Sequence, residues 1–122
     1  MEFFKIVDRR SNESEIQKKI SPENIGEFAE SMIFLGSEEA YFLGFTLWGE
    51  FKISYQKIKG GVRFTLLNCP NALAWTITTG YPPSRKEIVI HCTINRTKKN
   101  AQFIEEIEIH LEEWAEGIMQ AF

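Results

Sequence analysis

Between Tyr41 and Ile94 the apolar residues recur with a period of two, and turn residues interrupt them at short intervals. That pattern restricts the fold more than any other feature of the chain. Phe51, Ile53 and Tyr55 share one face, with Lys52, Ser54 and Gln56 on the other, and Gly60-Gly61 then makes a tight turn. Val62, Phe64 and Leu66 alternate with Arg63, Thr65 and Leu67, and "NCPNA" is a second turn, because Pro70 with flanking Asn is turn chemistry. Leu73, Trp75 and Ile77 alternate with Ala74, Thr76 and Thr78. After the loop "GYPPSRK", Ile88, Ile90, Cys92 and Ile94 alternate with Val89, His91 and Thr93. Strands joined this closely pair antiparallel, and one face of the resulting sheet is apolar throughout.

Two further segments read as strands. "MEFFKIVD" gives a short opening strand, Glu2 to Val7. "YFLGFTLW", residues 41–48, is apolar on both alternating sets, as expected of a strand covered on both sides or along much of its length.

The apolar sheet face needs a cover, and two helical patterns supply it. Over residues 22–35, Ser21 is suited to the N-cap, Pro22 to the first helical position and Gly36 to the end, while Ile25, Phe28, Ala29, Met32 and Ile33 form one stripe. The polar connector before it, "RRSNESEIQKK", has room for a helical turn. Over residues 101–120, Ile104, Ile107, Leu111, Trp114, Ala115 and Ile118 form the stripe, with Asn100 as the cap. Gly117 costs about 1 kcal/mol there relative to alanine, so either the helix frays or a neighbour packs closely. The expected fold is a single α+β domain over residues 1–122, a two-layer sandwich. Its antiparallel meander of about five strands carries the helices 22–35 and 101–120 on one face and leaves the other open.

With 43% apolar and 25% charged residues, 122 residues suffice for one core without staples. The longest uncharged apolar run, residues 40–49, is far too short to cross a bilayer, and Glu2 with the short apolar stretch after it does not make a signal peptide. These features and two cysteines, Cys69 and Cys92, lead to the expectation of a cytoplasmic protein without a membrane partner.

Charge is divided by segment. Residues 21–40 carry five acids and no base, and residues 101–122 carry six acids and no base, whereas residues 51–99 carry nine bases against Glu87 alone. The helices are therefore acidic and the strands basic. Glu105, Glu108, Glu112 and Glu116 recur at three and four residues and share a helix face, and Glu23, Glu27 and Glu30 repeat the arrangement on the first helix. Like charges so spaced repel, and no lysine one turn away relieves them. Either this is a solvated helix face or it meets a basic partner.

Catalytic signals are weak. His91 and Cys92 are strand neighbours and point to opposite faces, so they cannot form a nucleophile–base pair. Cys69, His91, Cys92 and His110 lack metal-ligand spacing, and Gly60-Gly61 lacks the Lys-Ser/Thr of a phosphate loop. No cofactor is expected. The leading expectation is a small non-catalytic interaction protein, of immunity, antitoxin or inhibitor type. It would cover a basic toxin or nuclease surface with Glu105, Glu108, Glu112, Glu116, Glu23, Glu27 and Glu30. The alternative is a ligand-binding or small enzymatic module on the open sheet face, using Arg63, His91, Thr65, Thr76, Thr78 and Thr93. A nucleic-acid binder on the basic strand side ranks third, because the overall acidic balance opposes it. A homodimer joined through the open face is compatible with all three.

Overall fold

The structure, a computed structural model, describes residues 1–79, 86–95 and 101–122. Most of the loop "GYPPSRK", including Arg85, lies outside these residues, as do Arg96, Lys98, Lys99 and the expected cap Asn100.

The chain is α+β. Strand β1 (Glu2–Val7) is followed by helix α1 (Glu13–Lys19), a 3-10 turn (Pro22–Asn24) and helix α2 (Ile25–Phe28). Six strands then follow, β2 (Ile33–Ser37), β3 (Phe42–Thr46), β4 (Gly49–Ile58), β5 (Gly61–Leu66), β6 (Ala74–Thr79) and β7 (Ile88–Thr93), and the chain ends in α3 (Ala101–Ala121). The sheet has seven antiparallel strands in the order β1-β7-β6-β5-β4-β3-β2, so β1 and β2 form its free edges.

Two expectations are corrected. The sheet has seven strands, not about five, and the described residues hold three helices, not two. The additional helix is α1, where the side chain of Asn12 accepts from the Glu15 N–H at 2.8 Å and Ile16 is fully buried. The helix expected over 22–35 stops at Phe28, and its last three residues belong to strand β2. Ile25, Phe28, Ala29 and Met32 are buried as the stripe requires, but Ala29 is already extended (φ −129°, ψ 114°). From Ile33 the chain alternates, with Phe34 turned inward and Ile33 and Leu35 outward, because pairing with β3 supplies its backbone hydrogen bonds. Tertiary pairing overrides local propensity here. Gly36 lies at the irregularity in the β2–β3 register instead of capping a helix.

The strand around residue 45 is also covered on one side only. Phe42 and Thr46 are buried, while Phe45 is 45% exposed on the far face.

The alternation read for β4 to β7 holds. Ile53, Val62, Phe64, Leu66, Trp75, Ile77, Ile88, Ile90 and Cys92 are all buried beneath the helices. Phe64 stacks on Trp75 at 5.2 Å between ring centroids, and Phe28 stacks on Trp114 at 5.6 Å, which joins the sheet, α2 and α3 in one aromatic core. Each such ring, fully buried, stabilises the fold by roughly 1.5–3 kcal/mol. The first helix is tied to the β4–β5 turn. Gln17 Nε2 donates to the carbonyls of Ile58 and Gly61 at 3.1 Å, and the Gly60 N–H donates to Glu13 Oε2 at 2.9 Å. Gly60 takes φ +92°, a conformation that suits glycine in a tight turn.

Candidate functional site

Some of the acidic residues of α3, with Glu27 of α2 and Glu30 just after it, border a cleft of about 250 Å³ between the two helices. Glu27, Glu30, Glu113 and Glu116 line it, Phe28 and Gly117 contribute to its wall, and no lining residue is basic. The cleft exists because α3 crosses α2 closely. At Gly117 a Cβ would stand only 2.1 Å from the carbonyl oxygen of Phe28, so only glycine permits the approach. Of the two sequence readings for Gly117, close packing is the one found.

Glu113 is the fixed member of the set. It is half-buried, and its Oε1 accepts from both the backbone N–H (3.1 Å) and the hydroxyl (2.6 Å) of Ser31. Glu27, Glu30 and Glu116 are exposed and form no ion pair among the described residues. Sequence reading missed Glu113, although its spacing of three from Glu116 places the two on neighbouring positions of one helix flank.

The seven glutamates expected to act together are not one surface. Glu27, Glu30 and Glu116 share the cleft. Glu112 pairs with Lys5 of β1 at 2.6 Å, and together with Glu108 it borders a separate depression of about 240 Å³ that includes Phe4 and Leu111. Glu105 is exposed one turn N-terminal to Glu108. Glu23 lies beside Tyr55, whose phenol is held above its ordinary pKa by burial and, secondarily, by this carboxylate. The Tyr55 hydroxyl donates to the Ile20 carbonyl at 2.6 Å. Glu106, outside the expected set, accepts from Trp48 Nε1 at 3.3 Å.

The alternative set is brought together on the outward sheet face. Arg63 is the register partner of Thr76, Thr76 of His91, and His91 of Phe4, so the four make one row across four adjacent strands. In the next row Thr65 pairs with Ala74, and Ala74 with Thr93. Thr78 lies on the same face opposite Val89. Sequence reading missed two members of this face. Phe4, 62% exposed, lies flat on the His91 imidazole at 4.3 Å with 7° between the planes, and Glu2 Oε1 lies 2.9 Å from His91 Nε2. Alternation from the inward Val7 back along β1 would have placed Phe4 and Glu2 on the outside.

The thiols do not form a nucleophilic site. Cys92 is buried, and desolvation pushes its pKa up to about 12, so it is a neutral thiol at physiological pH. Cys69 is half-buried and free. His110 activates neither, because both of its ring nitrogens lack a hydrogen-bond partner among the described residues. It is fully buried against Trp75 and Trp48, and burial lowers its pKa to about 3. The indole nitrogens of Trp75 and Trp114 are unpaired in the same way. Leaving one such group unpaired costs roughly 1–3 kcal/mol.

Among the described residues no three His, Cys, Asp or Glu side chains are placed to hold a metal ion, and no helix is long and apolar enough to cross a membrane. No protein-family model matches the chain, and no curated protein matches it.

Proposed function

We propose that this is a small interaction protein of the immunity, antitoxin or inhibitor type, and that the α2–α3 cleft receives a basic segment of its protein partner. The observation behind this reading is that four carboxylates, Glu27, Glu30, Glu113 and Glu116, border one cleft with no base among the residues that line it. Like charges held at this density raise the energy of the free protein, and an arriving lysine or arginine relieves it. Such a field accelerates encounter with a cationic surface and places carboxylates where a nuclease would otherwise hold phosphate. Glu105 and Glu108 extend the negative field along α3.

The reading is tested by capturing partners from the native lysate at low salt with wild-type protein and with a Glu27→Lys, Glu30→Lys, Glu116→Lys variant whose fold is checked by circular dichroism. A basic protein that is retained by the wild type, lost by the variant and released steeply with salt supports it. The same partner held equally by both proteins, or a partner that is not basic, defeats it.

A second reading is favoured by one specific observation, the row Phe4, His91, Thr76 and Arg63 across the open face. An exposed ring stacked on an imidazole, with a guanidinium two strands away in the same row, suits a planar anionic ligand. A saturable thermal shift with such a ligand, abolished by Arg63→Ala and by His91→Ala, would establish that reading in place of the first.

A further inference from the structure

Strand β1 is a free edge of the sheet, and its register shows which of its backbone groups are unpaired. The Ile94 N–H donates to the Met1 carbonyl and the Met1 ammonium donates to the Ile94 carbonyl, both at 3.0 Å, so these two residues are a hydrogen-bonded pair. The register then runs unbroken from Glu2 opposite Thr93 to Val7 opposite Ile88. Antiparallel pairs alternate between bonded and non-bonded, so Phe3, Lys5 and Val7 exchange their bonds with β7. Glu2, Phe4 and Ile6 therefore aim their N–H and C=O groups at the free edge.

The opposite edge, β2, is shorter and is broken by the irregularity between Phe34 and Gly36, a device that blunts an edge. Strand β1 has neither an irregularity nor a proline. Lys5 is the kind of charge that guards an edge, but Glu112 neutralises it at 2.6 Å.

Helix α3 runs beside this edge. Phe4 and Lys5 of β1 and Glu108, Leu111 and Glu112 of α3 border the depression of about 240 Å³ between them. Phe4 turns its ring to the open face, against His91, so the depression meets β1 at its edge. Glu108 is exposed and forms no ion pair among the described residues. A sheet edge with a side-chain pocket next to it is the arrangement in which an extended peptide adds as a further strand. The main chain then gives affinity and the pocket gives specificity.

We infer that the β1 edge receives an extended basic segment of another protein, which adds antiparallel as an eighth strand. Its backbone bonds with Glu2, Phe4 and Ile6, and its alternate side chains face opposite ways. One set is apolar and lies beside Phe4 and Ile6, which are 62% and 60% exposed on the open face. The other set faces α3, where a lysine or arginine enters the depression and meets Glu108. Charge selects this occupant over a second copy. Two β1 strands paired together would bring Glu105, Glu108 and Glu112 of both copies alongside one another, and like charges so placed oppose association.

A short capped peptide in which valine and lysine alternate is the probe, read by amide hydrogen exchange and NMR. In the free protein the Phe4 and Ile6 amides should exchange quickly and those of Phe3 and Lys5 slowly. Saturating peptide should slow Phe4 and Ile6 by at least about tenfold and give Overhauser effects between its backbone and β1. Glu108→Lys should weaken binding several-fold. Backbone N-methylation of the valines, whose N–H groups face β1, should abolish binding, whereas N-methylation of the lysines should not. A peptide that does not bind at millimolar concentration overturns the inference. So does one that binds without slowing Phe4 and Ile6, or whose two methylated forms bind alike. Slow exchange of both amides in a free protein that sediments as a dimer gives the edge to a second copy and overturns it equally. The Glu27→Lys, Glu30→Lys, Glu116→Lys protein should still show the protection, which separates this edge from the acidic cleft, with which it shares no lining residue.

Discussion

Gly117 of α3 lies against the backbone of Phe28 in α2, so closely that a Cβ at position 117 would stand 2.1 Å from the Phe28 carbonyl oxygen and 2.5 Å from its Cα. In an isolated helix, alanine at this position would be favoured by about 1 kcal/mol. Here the contact is with backbone, which cannot swing aside as a flexible side chain can, so the clash outweighs that gain. Gly117→Ala is expected to destabilise the protein by roughly 1–3 kcal/mol net. Chemical denaturation of the two proteins checks this, and a variant more stable than wild type would show that the helices do not approach at that point.

Acid should unfold the protein through His110. Its pKa of about 3 in the fold lies below the ordinary 6.5, because burial disfavours the imidazolium. Above the ordinary value the ring is neutral in both states, and its contribution to stability is fully present. As pH falls from 6.5 towards 3, the unfolded chain binds a proton that the folded chain refuses, so stability is lost at roughly 1.4 kcal/mol per pH unit. The measurement is a comparison, so that effects of acid common to both proteins cancel. Urea unfolding at pH 7, 6 and 5 should show a steeper loss for wild type than for His110→Phe. Coincident slopes would mean that His110 accepts its proton within the fold.

Ser31 is expected to matter more than an ordinary surface serine. Its hydroxyl and N–H both bond Glu113 Oε1, which fastens the turn after α2 to α3. Ser31→Ala removes the shorter of these two bonds and should cost about 1–2 kcal/mol, in the range for hydrogen bonds to a charged group. Ser31→Thr, which keeps the hydroxyl, should recover most of the loss in the same thermal melts. Equal melting of all three proteins would show that the hydroxyl contributes nothing.

Thiol reactivity separates the two cysteines. Cys92 is inaccessible and its thiol remains protonated, whereas Cys69 is partly exposed at the turn after β5. A disulfide reagent at pH 8 should therefore modify one thiol in the native protein and two after denaturation, and Cys69→Ser should remove the native reaction. Fast modification of a second thiol under native conditions would contradict the burial of Cys92.

What the sequence revealed depended on how many physical constraints acted on each segment. In β4 to β7 one face is core and the other is solvent, so alternation alone assigned every inward residue from Ile53 to Cys92. Segment 33–37 was misread because Ile25, Phe28, Ala29 and Met32 carry a helical stripe up to its border, and what ends the helix is a partner strand distant in the pattern. His110 falls at stripe spacing between Ile107 and Trp114, and its polarity alone kept it off the expected core. The cleft was half legible. Glu27, Glu30 and Glu116 were chosen for their charge, but their separation from Glu23, Glu108 and Glu112 depends on how α3 crosses α2, which no spacing along the chain encodes.

The place of β1 in the sheet has a consequence for how the chain folds. The other strands pair with their neighbours in sequence, but β1 pairs with β7, and the Met1 ammonium donates to the Ile94 carbonyl across 93 residues. Closing a loop of that length costs about 2–3 kcal/mol more in chain entropy than closing a hairpin of a few residues. The meander should therefore assemble first and β1 dock late. Val7→Ala should then speed unfolding and leave the folding rate nearly unchanged, and an equal slowing of folding would place β1 in the nucleus. Until β1 docks, β7 presents Ile88, Val89, Ile90 and their unpaired backbone as an open template. The interval before the first strand returns to the last is when this chain is most exposed to pairing with another copy of itself.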